Sequence, residues 1–482
     1  MHTIIIGNGI VALSTAFRLA RRAKESDKIT IIGKSSRTGS ATLAAAAMLN
    51  SFAEIEVGAL EHETDLYRFE LSHEATQMWP KFEEDIIAAG GSNLPKACGS
   101  CQVLSGGCYD RGTYIVNNTA ADDLDDENYD AIVAALEMFN EQHAHVNPRD
   151  IPNYAPQQPY RATRAVYIPN EGWLNPRIVI EKLDKVLRLF PQVEFLDANA
   201  DRLTAKNASI TSVVLDDGRI VEGDAYLLAT GATATDLLTK SAIGIEMQRV
   251  FYGVGTSIEI KSPDYPHTKC IRTPNRGLAC GIYSVPYFQG PDDKNDHILI
   301  GASNFISPVP YAYGRLTSVE GLTSAAMQQI NHNFYRADLV RVNVGWRPTS
   351  QDTYPLLGRS SIANLVIATG TKRDGFHLAP LISEMMADVL EGKAIDERMS
   401  VFAPERPLIK TMTRDEGIAK AVRHQISAAY QHGYAPSKSR MPASVIAMHK
   451  DAMEKLYDAV GITDWGIPPE MLDMYRYGHA KP

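Results

Sequence analysis

Near the start of the chain an apolar run, Ile4 to Ile6, ends on Gly7-Asn-Gly9-Ile-Val-Ala12 and passes at once into a helical pattern reaching Arg22. A strand that turns this sharply into a helix has few architectures open to it. Each small residue contributes something mechanical, for Gly7 permits the tight turn, Gly9 brings backbone close to a pyrophosphate, and Ala12 lets the helix pack closely on the strand. The first helical turn, with Ile10 and Val11, presents amides and partial positive charge to an anion. A glycine pattern alone carries little weight. Between a β-run and a helix it predicts a dinucleotide site.

Composition excludes several other classes. The 482 residues leave room for about three domains, or for two intertwined domains and a tail. With 44% hydrophobic and 22% charged residues the chain reads as a soluble globular protein. No stretch approaches the roughly 20 apolar residues of a membrane span, so no membrane partner is expected. The segment Ile4–Ala20 is interrupted by Gly7, Asn8 and Gly9 and has no basic region before it, which predicts a mature, cytoplasmic protein. A net charge of −9 offers no footprint for nucleic acid. Five cysteines fit reduced thiols. Cys98-Gly-Ser-Cys101 and nearby Cys108 have no second pair or spaced histidines to complete a zinc site, so buried structural thiols and no metal are expected.

Further along, Lys28–Ile32 reads as the second strand of a β-α-β unit, followed by a helix from about 61 to 88. From 96 to 117 the pattern turns to short β-rich runs, which suggests an antiparallel sheet of another domain. A helix over 175–190 starts near Pro176, a hairpin turns at Asp217-Gly218, and 225–231 is a buried strand. Residues 247–340 are again β-rich, and 342–392 give a strand, a turn and a last helix. Beyond Pro407, Ile418, Val422 and Ile426, then Val445, Met448, Leu456 and Val460, predict two helices, the second capped by Gly461.

Five segments in this order carry a resemblance: Gly7–Ala12; Thr42–Leu49; Ala229-Thr-Gly231; Gly345-Trp-Arg-Pro348 leading to Asp352, Pro355 and Gly358; and Ala368-Thr-Gly-Thr-Lys-Arg-Asp-Gly-Phe-His-Leu-Ala-Pro380. Over residues 1–405 the chain resembles the D-amino acid oxidase family of FAD-dependent oxidoreductases, in its glycine oxidase and sarcosine oxidase branch. The resemblance implies an α/β fold. A Rossmann-like FAD-binding domain (1–95, 170–245 and 341–405) interleaves with an α+β substrate domain on an antiparallel sheet (96–169 and 246–340), and 406–482 add a helical extension. It further implies that FAD meets Gly7, Gly9, Ile10, Val11, Ala12, Thr42, Leu43, Ala47, Met48, Ala200, Thr230 and Gly231. The turn formed by Arg373, Asp374, Gly375, Phe376, His377 and Leu378 faces the flavin edge where negative charge develops, and preorganised amides there lower the barrier. Arg347 matches the arginine that grips the substrate carboxylate with its planar fork, Arg373 a second substrate-side arginine, and Tyr283 a tyrosine lining the pocket. His377 has the chemistry of a general base, yet its backbone role is preferred, since hydride removal from a neutral amine needs no strong base.

This sequence departs from the family pattern at four places. Gly33, followed by Lys34, Ser35 and Ser36, stands where a glutamate grips the adenosine ribose; Lys34 or a serine hydroxyl is the expected substitute. Ala47 replaces a common glycine, Thr371 a common histidine, and Gly345 the flavin-linking cysteine of the sarcosine oxidase branch, so noncovalent FAD is expected. The implied activity is removal of hydride from the carbon beside an amine on a carboxylate-bearing substrate, with oxygen or another compound as acceptor. The alternatives are a biosynthetic flavoenzyme for an unusual or carrier-bound nitrogen compound, and a non-catalytic flavoprotein that binds a partner through its C-terminal helices. The extension is expected to pack on the body or on a second subunit, in a homo-oligomer, or to close Trp465, Tyr475 and Tyr477 over the substrate mouth.

Overall fold

The computed structural model describes residues 1–94, 110–118, 120, 123–287, 296–431 and 442–481. The cysteine cluster Cys98, Cys101 and Cys108 and most of the β-rich run from 96 lie outside them; Cys270 and Cys280 are buried free thiols.

His2–Ile6 forms the strand expected of it and sits inside a six-stranded sheet. The order is Leu356–Arg359, Leu365–Thr369, Ala225–Leu228, His2–Ile6, Lys28–Ile32, Val193–Leu196. All neighbours run parallel except the first pair. Continuous apolar runs in these strands mean burial on both faces. Because successive side chains alternate, Ile5, Ile29 and Ile31 point to one side, where Leu13 and Phe17 of the first helix, Leu183 and Met386 cover them. Ile4, Ile6 and Ile32 point to the other, against Leu203, Val213 and Leu215 of a small antiparallel sheet and Leu237 of the helix Ala234–Ser241. The predicted helices are Glu63–Gly90 and Pro176–Leu187. Asn175 caps the second through the amides of Arg177 and Ile178.

A second, larger sheet is mainly antiparallel. Its longest members are Val250–Lys261 and Asp338–Ser350, paired from Val250↔Ser350 to Lys261↔Asp338 with one bulge. The strands Arg164–Trp173 and Asp338–Ser350 run across the boundaries expected at 169/170 and 340/341, and Met48–Leu49 pairs with this sheet through Gly172 and Trp173. Continuous strands therefore tie the two halves together, and the site lies where those strands meet the nucleotide-binding sheet.

The extension supplies helices Arg414–Gln431, Pro442–Val460 and Leu472–Arg476. Ile418, Val422, Met453, Leu456 and Tyr457 close a core of their own against Phe251 of the large sheet. Trp465 and Tyr475 are buried in that core and Tyr477 is 66% exposed, so of the two alternatives the extension packs on the body and these rings do not close over the substrate mouth. Apolar packing claims two of the rings and solvent the third. Among the described residues no helix is long and apolar enough to cross a membrane.

Candidate active site

A cavity of about 720 Å³ runs between the two sheets, large enough for an extended dinucleotide. At one end the strand His2–Ile6 stops at Gly7, whose φ of +122° lies outside the usual range of L side chains. A Cβ there would stand 2.3 Å from the Ala229 carbonyl oxygen. Gly9 caps the following helix in an extended conformation with no side-chain cap. Gly9, Ile10 and Val11 line the cavity, whereas Ala12 is wholly buried under the helix and does not reach it. The Ile10 amide is taken by Thr42 Oγ1 at 3.2 Å, so Thr42 braces the helix start from within the protein.

Local packing accounts for the departure at position 33. A Cβ on Gly33 would lie 2.5 Å from Asn8 Cγ, and the Asn8 amide nitrogen donates to the Lys34 carbonyl at 2.9 Å. Asn8 thus fills the space a larger residue would take. Lys34 borders the cavity, but its ammonium pairs with Asp216 at 2.7 Å. Ser35 does not line the cavity; its amide donates to Asp197 at 2.6 Å. Ser36 and Arg37 line it instead. Arg37, fixed by the Asn8 carbonyl at 3.0 Å and by Asp184 at 2.7 Å, is a residue that sequence reasoning missed, because no glycine pattern marks it.

In the middle stretch Ala47 and Met48 line the cavity, as do Ala200, Thr230 and Gly231. Ala47 adopts a left-handed φ of +50°, the backbone reason glycine suits that position. Thr230 Oγ1 is buried with no protein partner, a polar atom that a bound cofactor would satisfy. Leu43 turns away, packs on the core and gives its amide to Ser40 Oγ at 3.3 Å. Gly345, too, leaves no space: a Cβ would meet Ala44 Cβ at 2.7 Å, so no cysteine fits there without movement.

At the far end two predicted features meet. The long strand carries Arg347 to the cavity wall, and the Lys372 amide donates to the Pro348 carbonyl at 2.7 Å, holding the 371–377 turn beside it. In that turn Leu378 gives its amide to the Asp374 carbonyl at 2.8 Å and lies off the cavity, so it is not a flavin donor. Among the described residues no acceptor takes the amides of Gly375, Phe376 and His377, which line the cavity ahead of the helix Ala379–Leu390. Glycine-cradled space at one end, an orphaned hydroxyl in the middle and free amides at the other fit FAD.

The side chains at this end are held by hydrogen bonds, ion pairs and burial. Arg347 donates to the Ser303 carbonyl at 3.1 Å and Asn304 Oδ1 at 3.0 Å, and it pairs with no carboxylate among the described residues. A Cβ on Gly255 would lie 2.5 Å from the guanidinium, so a side chain there would displace Arg347 from this position. Burial pushes the Tyr283 hydroxyl up to about 12 despite Arg347, so it stays protonated. Arg373 faces Glu54 at 3.6 Å; burial opposes its charge, but Glu54 and its neighbours hold it firmly protonated. Asp374 is bound by Arg68 at 2.5 Å. Burial lowers the His377 imidazole to about 4, and its ring sits between Thr76 Oγ1 at 2.7 Å and Ser72 Oγ at 3.4 Å. The Trp79 indole donates to its carbonyl at 2.8 Å. His377 is therefore a neutral structural imidazole that fixes the turn.

Near Glu54 and Arg272 lies Glu171, which accepts from the Phe52 amide at 2.5 Å, the Ala53 amide at 3.3 Å and Asn50 at 3.0 Å. Burial raises its carboxyl to about 8 against those donors. A folded-state pKa above the usual 4.5 gives stability that is complete below that value and lost as pH climbs towards about 8. Glu171→Gln is expected to flatten the fall in Tm across this window. An unchanged slope from pH 5 to 8.5 would assign the loss to other groups.

The chain is similar to known proteins in sequence and in fold. The family model described as FAD dependent oxidoreductase matches residues 2–389. The bifunctional protein ThiO/ThiG of Nostoc sp. is 23% identical over 404 residues, 83% of this chain and 54% of its own length. The tRNA 5-methylaminomethyl-2-thiouridine biosynthesis bifunctional protein MnmC of Idiomarina loihiensis is 26% identical, covering 48% of this chain and 35% of its own. This chain spans about half, or less, of the curated relatives it matches. Among solved structures, glycine oxidase from Geobacillus kaustophilus superposes with a TM-score of 0.68 at 19% identity, over 84% of this chain and 99% of its own. Iminodiacetate oxidase from Chelativorans sp. gives 0.66 at 19%, over 83% and 98%. With four-fifths of its length matched and a cavity that fits the cofactor, the chain belongs to the FAD-dependent oxidoreductase family typified by D-amino acid oxidase.

Proposed function

We propose that this chain oxidises the carbon–nitrogen bond of a small amino acid or N-substituted amino acid. The carbon beside nitrogen loses a hydride, the nitrogen loses a proton to water, and the resulting imine hydrolyses to an oxo acid or aldehyde and an amine. When bound, FAD supplies the acceptor for the hydride. Arg347 carries the assignment: it is a guanidinium without a carboxylate partner among the described residues, on the wall of the cavity that also receives the free amides of 375–377. Its fork would take both oxygens of a substrate carboxylate and aim the adjacent C–H across the cavity. Tyr283, protonated, is a hydrogen-bond donor at the same end, and Arg373 with Glu54 adds a charged pair to the lining of the same cavity. Neutral, doubly held His377 is not placed to take a proton, and hydride loss from a neutral amine does not require it.

The similar proteins named for glycine and iminodiacetate oxidation act on small carboxylate-bearing amines, which supports the same substrate class here. Electrons then pass to oxygen, giving hydrogen peroxide, or to another acceptor. Anaerobic mixing of the holoenzyme with glycine, sarcosine, iminodiacetate and D- and L-amino acids should bleach the flavin with at least one of them. Bleaching by none defeats the assignment. Oxygen uptake during aerobic turnover separates an oxidase from a dehydrogenase.

A further inference from the structure

Among the described residues, none that lines the cavity comes from 406–482. The extension nevertheless stands behind three segments that do line it. Lys420 Nζ pairs with Glu56 Oε2 at 3.2 Å, two residues beyond cavity-lining Glu54. Glu470 pairs with Lys372, next to Arg373, and both partners are nearly buried. His424 packs on Gly277, where a Cβ would meet its Nδ1 at 2.2 Å, three residues before cavity-lining Cys280. The family match ends at residue 389, so Lys420, His424 and Glu470 lie outside it.

The charges behind the wall are mutually coupled. Burial works against the Glu56 carboxylate, yet Lys420, His424, Arg373 and Lys372 hold it at about 2. Arg373 feels Glu54 first, then Cys280, Glu470 and Glu56. Without Lys420, Glu56 would keep its bond from the Asn275 side-chain amide at 2.7 Å but lose its ammonium partner, and its charge would compete for Arg373 and Lys372. Without Glu470, Lys372 would be an uncompensated cation beside the cavity. Unpaired charges in a partly desolvated layer act over several ångströms.

We propose that the C-terminal extension is the electrostatic back wall of the substrate chamber: Lys420 and Glu470 are positioning residues that neutralise Glu56 and Lys372 and so set the positive field that Arg373 presents to an anionic substrate. This rests on the reading above that Arg373 faces substrate. A merely structural extension predicts that damage to either ion pair loosens the chamber and weakens binding. The electrostatic wall predicts opposite signs.

Acetate, a carboxylate with no amine to oxidise, is the probe, titrated into oxidised holoenzyme by its perturbation of the flavin spectrum. Lys420→Met should raise the acetate Kd about fivefold and Glu470→Gln should lower it about threefold, with FAD affinity unchanged in both. The flavin midpoint potential, measured without acetate, should fall in the first and rise in the second. The double variant Glu56→Gln/Lys420→Met leaves no charge unpaired and should bind acetate within about twofold of the wild type, even if Lys420→Met alone folds poorly. Shifts of the same sign in Lys420→Met and Glu470→Gln, or no shift in either, overturn the proposal. Failure of the amine-oxidation reading shows separately as absence of bleaching, and the two potentials still decide the role of the extension.

Discussion

Replacing Arg347 with alanine is expected to lower kcat/KM by about a thousandfold, the loss of roughly 4 kcal/mol from a bidentate, charge-assisted contact made away from bulk water. Two features make the site sensitive. The guanidinium already has two fixed acceptors on its protein side, Ser303 and Asn304, so its remaining donors are preorganised for a ligand. Gly255 leaves the guanidinium its space, for a Cβ there would lie 2.5 Å from it. Arg347→Lys keeps the charge but loses the planar fork and should recover only part of the activity. Flavin binding should survive both changes, so the measurement is steady-state kinetics on protein of unchanged visible spectrum. Wild-type kcat/KM in Arg347→Ala would remove the residue from the substrate site.

At the other end of the cavity, Gly7→Ala should yield colourless protein. The new methyl group would sit 2.3 Å from the Ala229 oxygen, and its backbone would be held at a φ of +122°. Overlap and strain of this kind cost about 3 kcal/mol or more, and relief requires that the strands His2–Ile6 and Ala225–Leu228 part at the pyrophosphate turn. FAD affinity should fall at least about a hundredfold in a fluorescence titration. Gly9→Ala makes a useful contrast, because its Cβ would have only Thr42 Oγ1 nearby, at an ordinary 3.4 Å. That protein should fold normally, and any loss of FAD affinity would report the approach of the ligand itself. A yellow Gly7→Ala protein with native affinity would show that the turn tolerates a side chain.

The sequence order of glycines, small residues and apolar runs made the nucleotide-binding half legible. Period-two and helical patterns are local, and turns that only glycine can make leave a mark at one position. Ala12 shows the limit of such reading: its place in the motif was right for helix packing and wrong for ligand contact, because a motif does not distinguish a residue facing the ligand from one beneath the helix. Leu378 fails for a related reason, since only the folded turn reveals that its amide is already used by Asp374. Arg37 and Glu54 were missed because each becomes part of the cavity through partners far away in the chain, Asp184 and Arg272. The aromatic residues of the extension had two readings, packing on the body or closing over the site, and the core they share with Phe251 consumes two of them.

From its residues alone this chain determined a β-α dinucleotide turn, a helix-capping turn near Gly375 and an arginine in Gly-Trp-Arg-Pro, since each depends on backbone chemistry within a few positions. Tertiary structure decided that Arg347 and that turn share one wall, that Asn8 fills the space at Gly33, and that Lys420 and Glu470 reach Glu56 and Lys372. Those relations pair side chains tens to hundreds of residues apart. Periodicity and spacing along a chain carry no information about which distant surfaces will exclude water from one another, and that exclusion fixes where charges can be held.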